Sequence, residues 1–194
     1  MDIILPTVYF GNIHYFKTLF SYQSVLIEAK EHFVKQTFRN RCEILTSNGV
    51  QQLSIPVVRS NGSKTTIDEV TISFDTDWRK DHWKAIESAY SSSPYFEHYG
   101  QEVKELIYQE ETNLLKFNQL IQCRISNWLG LDHSFRFTSS FSPNSNLDFN
   151  YLNQNVKGDV IKYIQVFEDR TSFCENASIL DAIFCLGPMA RNLL

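Results

Sequence analysis

The chain has 194 residues, with 22 acidic against 18 basic side chains and a formal net charge of -4, which excludes the basic face or stripe of a general nucleic-acid binder. That length supports one sizeable core and a single domain over residues 1–194. No apolar run approaches the roughly 20 residues that cross a bilayer, and the N-terminus lacks the basic-then-apolar order of a signal peptide, so a cytoplasmic protein with no membrane span is expected.

Ile3-Ile4-Leu5 is a short apolar run stopped by Pro6. After a loop through Gly11, Asn12 is a suitable N-cap for a helix to Phe20, with Ile13, Phe16, Leu19 and Phe20 at helical spacing. Val25-Leu26-Ile27 reads as a second strand, so the opening predicts β-loop-α-β with parallel strands across the crossover helix. Adjacent strands follow over Phe33 to Phe38, Cys42 to Leu45 and Leu53 to Val57, the last two joined through a Ser47-Asn48-Gly49 turn. Val70 to Phe74 alternates as a half-buried strand does.

Helices then take over. Asp77 opens one that runs to Tyr90, with Trp78, His82, Ala85, Ile86 and Ala89 on one stripe, and Ser91-Ser92-Ser93-Pro94 stops it. A second runs from Tyr95 to Ile107. A third, Glu111 to Leu129, carries Leu114, Phe117, Ile121, Ile125 and Trp128 at three- and four-residue steps before Gly130. Residues 141–158, rich in Asn, Ser, Pro and Gly, read as a long loop or lid. A strand from Tyr163 to Phe167 and a helix from Ser178 to Leu186 close the chain before Gly187-Pro188. The expected class is α/β, a β-loop-α-β opening with a mixed sheet, followed by a three-helix layer over about residues 77–130.

The densest local chemistry lies in Lys35-Gln36-Thr37-Phe38-Arg39-Asn40-Arg41-Cys42. On a strand, Arg39 and Arg41 share a face with Thr37, and two guanidinium forks there suit a carboxylate or phosphate. Cations on a solvated edge strand instead deter unwanted pairing between sheets, and both readings stay open. The four cysteines, Cys42, Cys123, Cys174 and Cys185, lie far apart, which indicates neither a zinc site nor a redox pair. Cys42 alone has neighbouring cations that lower a thiol pKa, against the alternative of a small buried side chain. No metal-ligand spacing joins the histidines, the aspartates 75, 77 and 81 complement a helix dipole, and no cofactor follows.

Several segments resemble the WbqC-like family, whose members open with a strand, a loop carrying Pro and Tyr-Phe, and an aromatic helix, followed by an Asn-Arg motif. The matching text is Leu5-Pro6-Thr7-Val8-Tyr9-Phe10-Gly11-Asn12-Ile13-His14-Tyr15-Phe16, then Arg39-Asn40-Arg41-Cys42 and Leu53-Ser54-Ile55-Pro56-Val57. His82-Trp83, the segment from Ala89 to Phe96, Ser178-Ile179-Leu180-Asp181 and Gly187-Pro188 extend it. The resemblance implies a bacterial protein of surface-polysaccharide (O-antigen) gene clusters, described as a glycine or aminoacyl transferase. Where many relatives carry a Gln before the first Pro and a second Pro after Tyr-Phe, this chain has Leu5 and Gly11. The opening also resembles nucleotidylyltransferases in outline, without their His-x-Gly-His signature.

Two functions fit. In a transferase, Arg39, Asn40 and Arg41 grip a small anionic or sugar-nucleotide ligand, Tyr9 and His14 line the same pocket beyond the carboxyl ends of the strands, and His14 and His82 are the catalytic candidates, with His82 as the base. In a non-catalytic module, the same patch binds an anionic sugar, a nucleotide or a partner enzyme. The two differ in one requirement: a transferase needs His14 or His82 to face the Arg39/Arg41 pocket within hydrogen-bond reach.

Overall fold

The computed structural model describes residues 3–131, 135–142 and 161–194. Strand β1 (Ile3–Leu5), helix α1 (Ile13–Phe20) and strand β2 (Val25–Ile27) form the expected opening, with the strands parallel and Ile3 opposite Val25. Asn12 caps α1: its backbone is extended and its side chain accepts the Tyr15 N–H at 2.8 Å.

Strands β3 (Arg41–Thr46) and β4 (Gly49–Ser54) make an antiparallel hairpin across the Ser47-Asn48 turn, with Arg41 opposite Ser54. On β3, Cys42 and Ile44 point into the core and are fully buried, while Arg41 and Glu43 are only partly covered, as period-two alternation requires. Strands β5 (Val57–Val58) and β6 (Thr71–Ile72) form a second short antiparallel pair. The three-helix layer consists of α2 (Trp78–Tyr90), α3 (Phe96–Ile107) and α4 (Leu114–Trp128), the last capped by Asn113, whose side chain accepts the Lys116 N–H. Asp77 stands at the start of α2 without a capping side-chain bond.

Strand β7 (Phe135–Phe137) pairs in parallel with the free side of β2, which gives a three-stranded parallel sheet in the order β1-β2-β7. Helix α5 (Ile179–Leu186) runs through the core, and every residue of it but Leu186 is buried. The α/β class therefore stands, with parallel and antiparallel pairing divided among three sheets. The C-terminal segment is sewn to the opening loop: Ile179 donates to the Gly11 carbonyl, Ser178 Oγ to the Phe10 carbonyl, and Ile13 to the Ala177 carbonyl, at 2.9, 2.9 and 3.0 Å.

Two expected strands are absent. Residues 33–34 carry no regular structure and 35–39 turn, with Gln36 in the left-handed region at φ 62°, because Arg39 folds back onto Glu31. Residues 163–165 carry no regular structure and no ladder partner among the described residues, and the chain then turns, because side-chain bonds to Asp181 hold them instead. The expected strand to Val57 divides at Pro56, a residue with no N–H for a ladder, and the one from Val70 shortens to β6. Most of the 141–158 loop, and His133, lie outside the described residues. Among the described residues no helix is long and apolar enough to cross a membrane.

Candidate functional site

The candidate residues other than His14 lie on the loop after β1, the turn before β3, the start of β3 and the inner face of α2. Tyr9 is fully buried, 4.8 Å from Phe10 and 6.2 Å from Phe117 between ring centres, and its hydroxyl lies 2.9 Å from His82 Nδ1. Trp78 packs edge-on against His82 at 5.0 Å. Burial drives the His82 pKa down to about 4, although a backbone bond at Ser54 and the charge of Asp81 pull it the other way. Burial also raises the Tyr9 phenol, with Cys42 adding to it, so Tyr9 keeps its proton and shares a hydrogen bond with a neutral imidazole. A ring this weakly basic is a poor proton acceptor at neutral pH.

A pH dependence follows. The folded His82 pKa of about 4 lies below the ordinary 6.5, so its contribution is intact above pH 6.5 and is lost as pH falls toward 4, when the unfolded chain gains the proton first. Urea unfolding of wild type and His82→Gln should show the wild type losing about 3 kcal/mol more between pH 7 and pH 4. Parallel curves would show that the ring is not held neutral.

The cationic run separates into two environments. Arg39 is buried and lays its fork on Glu31, with Nε to Oε1 at 2.7 Å and Nη2 to Oε2 at 2.5 Å, while Nη1 donates to Thr37 Oγ1 at 3.2 Å. The chain thus supplies its own carboxylate to Arg39. Asn40 donates from Nδ2 to the Ile55 carbonyl at 2.8 Å, and its Oδ1 is buried with no hydrogen-bond partner among the described residues. Arg41, at the start of β3, likewise has a buried Nε with no acceptor among them.

Three further residues extend this polar region. Asn118 and Gln122, one turn apart on α4, are buried: Asn118 Nδ2 donates to the Arg39 carbonyl at 2.8 Å, and Gln122 Nε2 to the Tyr15 hydroxyl at 2.6 Å. Tyr15 in turn donates to the Pro6 carbonyl at 2.8 Å, and Thr7 beside it is fully buried. Thr7 Oγ1, Asn118 Oδ1 and Gln122 Oε1 have no partner among the described residues. Each such atom costs about 1–3 kcal/mol when left unsatisfied, so a concentration of them marks a place suited to a polar guest. A sequence signal existed: amides at a four-residue step, set inside the apolar stripe of α4.

His14 belongs to a different neighbourhood. It is half-buried, its N–H reaches Asn176 Oδ1 at 3.4 Å, and its pKa is lowered by burial and Lys17 against a smaller opposite pull from Glu175. The N-terminus of α1 is closed to a phosphate, because Ile13, His14 and Tyr15 already donate to Ala177, Asn176 and Asn12. The nucleotidylyltransferase outline therefore does not extend to its anion site. Cys42 is fully buried and its thiol is pushed up by that burial, which leaves it inert. Asp75, Asp77 and Asp81 are exposed, and among the described residues no group of His, Cys, Asp or Glu is arranged to hold a metal ion.

The sequence model of the WbqC-like protein family matches residues 7–157. Rv1507c of Mycobacterium tuberculosis, an uncharacterized protein, is 30% identical over 118 residues, which cover 60% of this chain and 51% of that protein. The chain thus aligns with about half the length of this curated relative. No solved structure matches it.

Proposed function

Because this chain belongs to the WbqC-like protein family, we propose that it binds a small anionic sugar or sugar nucleotide at Asn40 and Arg41 and serves bacterial surface-polysaccharide synthesis as a transferase of a glycyl or other aminoacyl group. The observation that carries the binding is the Arg41 Nε, a charged donor removed from water with no acceptor among the described residues. A phosphate or carboxylate oxygen supplies what it lacks, and the planar fork suits such an anion. The Oδ1 of Asn40, the preceding residue, is a buried acceptor without a partner among the described residues and would take a sugar hydroxyl. Thr7, Asn118 and Gln122 add oxygen acceptors further along the same hydrogen-bonded region, which favours a hydroxyl-rich ligand over a bare anion.

A second reading is a binding module without catalysis. It is favoured by the weakly basic His82 ring and by the place of His14 beside Asn176 and Glu175. Incubating a bound sugar nucleotide with an activated aminoacyl donor separates the two, since only a transferase adds the aminoacyl mass to the sugar.

The binding itself is tested by thermal shift against nucleotides, sugar nucleotides and small amino acids. A ligand at about a hundred times its Kd adds roughly 2.7 kcal/mol, or roughly 5–10 °C at this size. We expect sugar nucleotides to give the largest shift. A panel in which none shifts the protein overturns the reading.

A further inference from the structure

A cleft of about 590 Å3, lined by no residue of the Arg41 region, lies between the α2–α3 junction, the segment from Lys162 to Val166 and the end of α5. That volume is in the range of small-molecule sites. Its outer wall is built rather than incidental. Asp181 of α5 is fully buried and accepts from the Tyr163 hydroxyl at 2.6 Å and from Gln165 Nε2 at 3.0 Å. Gln165, itself buried, also clasps Cys174 by donating to its carbonyl at 3.0 Å and accepting its N–H at 2.9 Å. A segment with no strand partner is thereby fixed to α5 through side chains, so the cleft is preformed.

The chemistry of the lining is one-sided. Pro94, Ile164, Val166 and Leu186 supply an apolar body, and Ile164 stands 83% exposed there. Lys162 and Ser92 sit at the rim, both exposed. Among the described residues no carboxylate pairs with Lys162, whose ammonium lies 5.9 Å from the Phe173 ring centre. The nearby acid, Asp181, is covered by Tyr163 and Gln165. Cys185 also lines the cleft, but burial and Asp181 push its thiol up to about 12, so it stays protonated and offers no nucleophile.

We propose that this cleft is a second binding site, for a small amphipathic anion: an apolar chain or ring carrying one carboxylate or phosphate. The body lies against Ile164, Val166 and Leu186, and the head meets Lys162 and Ser92, so that the exposed aliphatic side chain and a cation without a carboxylate partner among the described residues are each covered by the matching part of one ligand. The site stands independently of the sugar-binding reading.

The test is fluorescence titration of the full chain with 1-anilinonaphthalene-8-sulfonate, an apolar ring system with one anionic group, and with N-phenyl-1-naphthylamine, its uncharged counterpart. Lys162→Ala should weaken the anionic probe roughly fivefold and leave the uncharged one unchanged. Ile164→Asp should weaken both roughly tenfold or more. Both side chains are exposed, so the variants should melt with the wild type. Arg41→Ala should bind both probes as the wild type does. Decanoate and decyl phosphate should displace the anionic probe, and the stronger of the two identifies the head group. Wild-type affinity for the anionic probe in both cleft variants, or displacement by neither competitor, overturns the proposal.

Discussion

Gly187→Ala is expected to lower the unfolding free energy by about 4 kcal/mol and the melting temperature by roughly 10 °C. Gly187 ends α5 with φ 57° and ψ -132°, a backbone state that costs an L side chain about 1–2 kcal/mol or more. A Cβ there also meets the Tyr95 ring at 2.5 Å from two carbons and 2.8 Å from a third. Tyr95 cannot swing aside cheaply, because two of these atoms, Cγ and Cδ1, lie at the root of its ring and its N–H is bonded to the Phe184 carbonyl at 3.0 Å. Overpacking of this kind adds about 1–3 kcal/mol. Gly62, at φ 56° with nothing within 4 Å of a modest Cβ, is the control: Gly62→Ala should show the backbone strain alone. Equal losses in the two variants, measured by urea unfolding, would remove the Tyr95 contact from the account.

Arg39→Ala is expected to cost about 3 kcal/mol, because it leaves the Glu31 carboxylate largely covered and without its cation. Side-chain exposures of 5% for Arg39 and 15% for Glu31 place the pair well below the surface class, where ion pairs contribute little. Arg39→Lys keeps the charge but loses the two-pronged geometry, so it should fall between wild type and alanine. Removing Glu31 as well should recover part of the loss, since no carboxylate is then stranded. A cost within the error of a surface substitution, about 0.5 kcal/mol, would mean that Arg39 is not structural and would return it to the ligand site.

That pair also explains what the sequence could and could not disclose. Local chemistry was legible: Asn12 caps α1, the Asn48-Gly49 step turns the hairpin, and the stripe of Leu114, Phe117, Ile121 and Ile125 builds α4. These depend on residues a few positions apart. The segment from Phe33 to Phe38, with apolar residues at both ends, imitates a strand, but the Glu31–Arg39 pair accompanies a chain that turns over residues 35–39, and no periodicity reports an ion pair. Tyr163 to Phe167 misleads for the same reason, because its tether is an acid on α5. Phe135-Arg136-Phe137 escapes a local reading because the partner that makes it a strand, β2, lies far earlier in the chain.

The site was legible as a motif and not as a division of labour. Arg39-Asn40-Arg41 reads as one cationic unit, yet Arg39 is committed to Glu31 while Asn40 and Arg41 keep buried atoms with no partner among the described residues. Tyr9 and His82, far apart in sequence, prove to be bonded to each other, which the helical stripe of α2 places but does not pair. Asn118 and Gln122 escape notice because a stripe is read by its apolar members, and amides within it pass for its edge.

The proposed function requires Arg41 to bind the anionic part of a sugar ligand. Its most direct test is calorimetric titration of wild type and Arg41→Ala with the sugar nucleotide that gives the largest thermal shift. A charge-assisted hydrogen bond contributes about 1.5–3 kcal/mol, so the variant should bind roughly ten- to a hundredfold more weakly. Its melting temperature without ligand should stay near that of the wild type, because the Arg41 Nε has no hydrogen bond among the described residues to lose. Equal affinity of the two proteins for that sugar nucleotide would contradict the account.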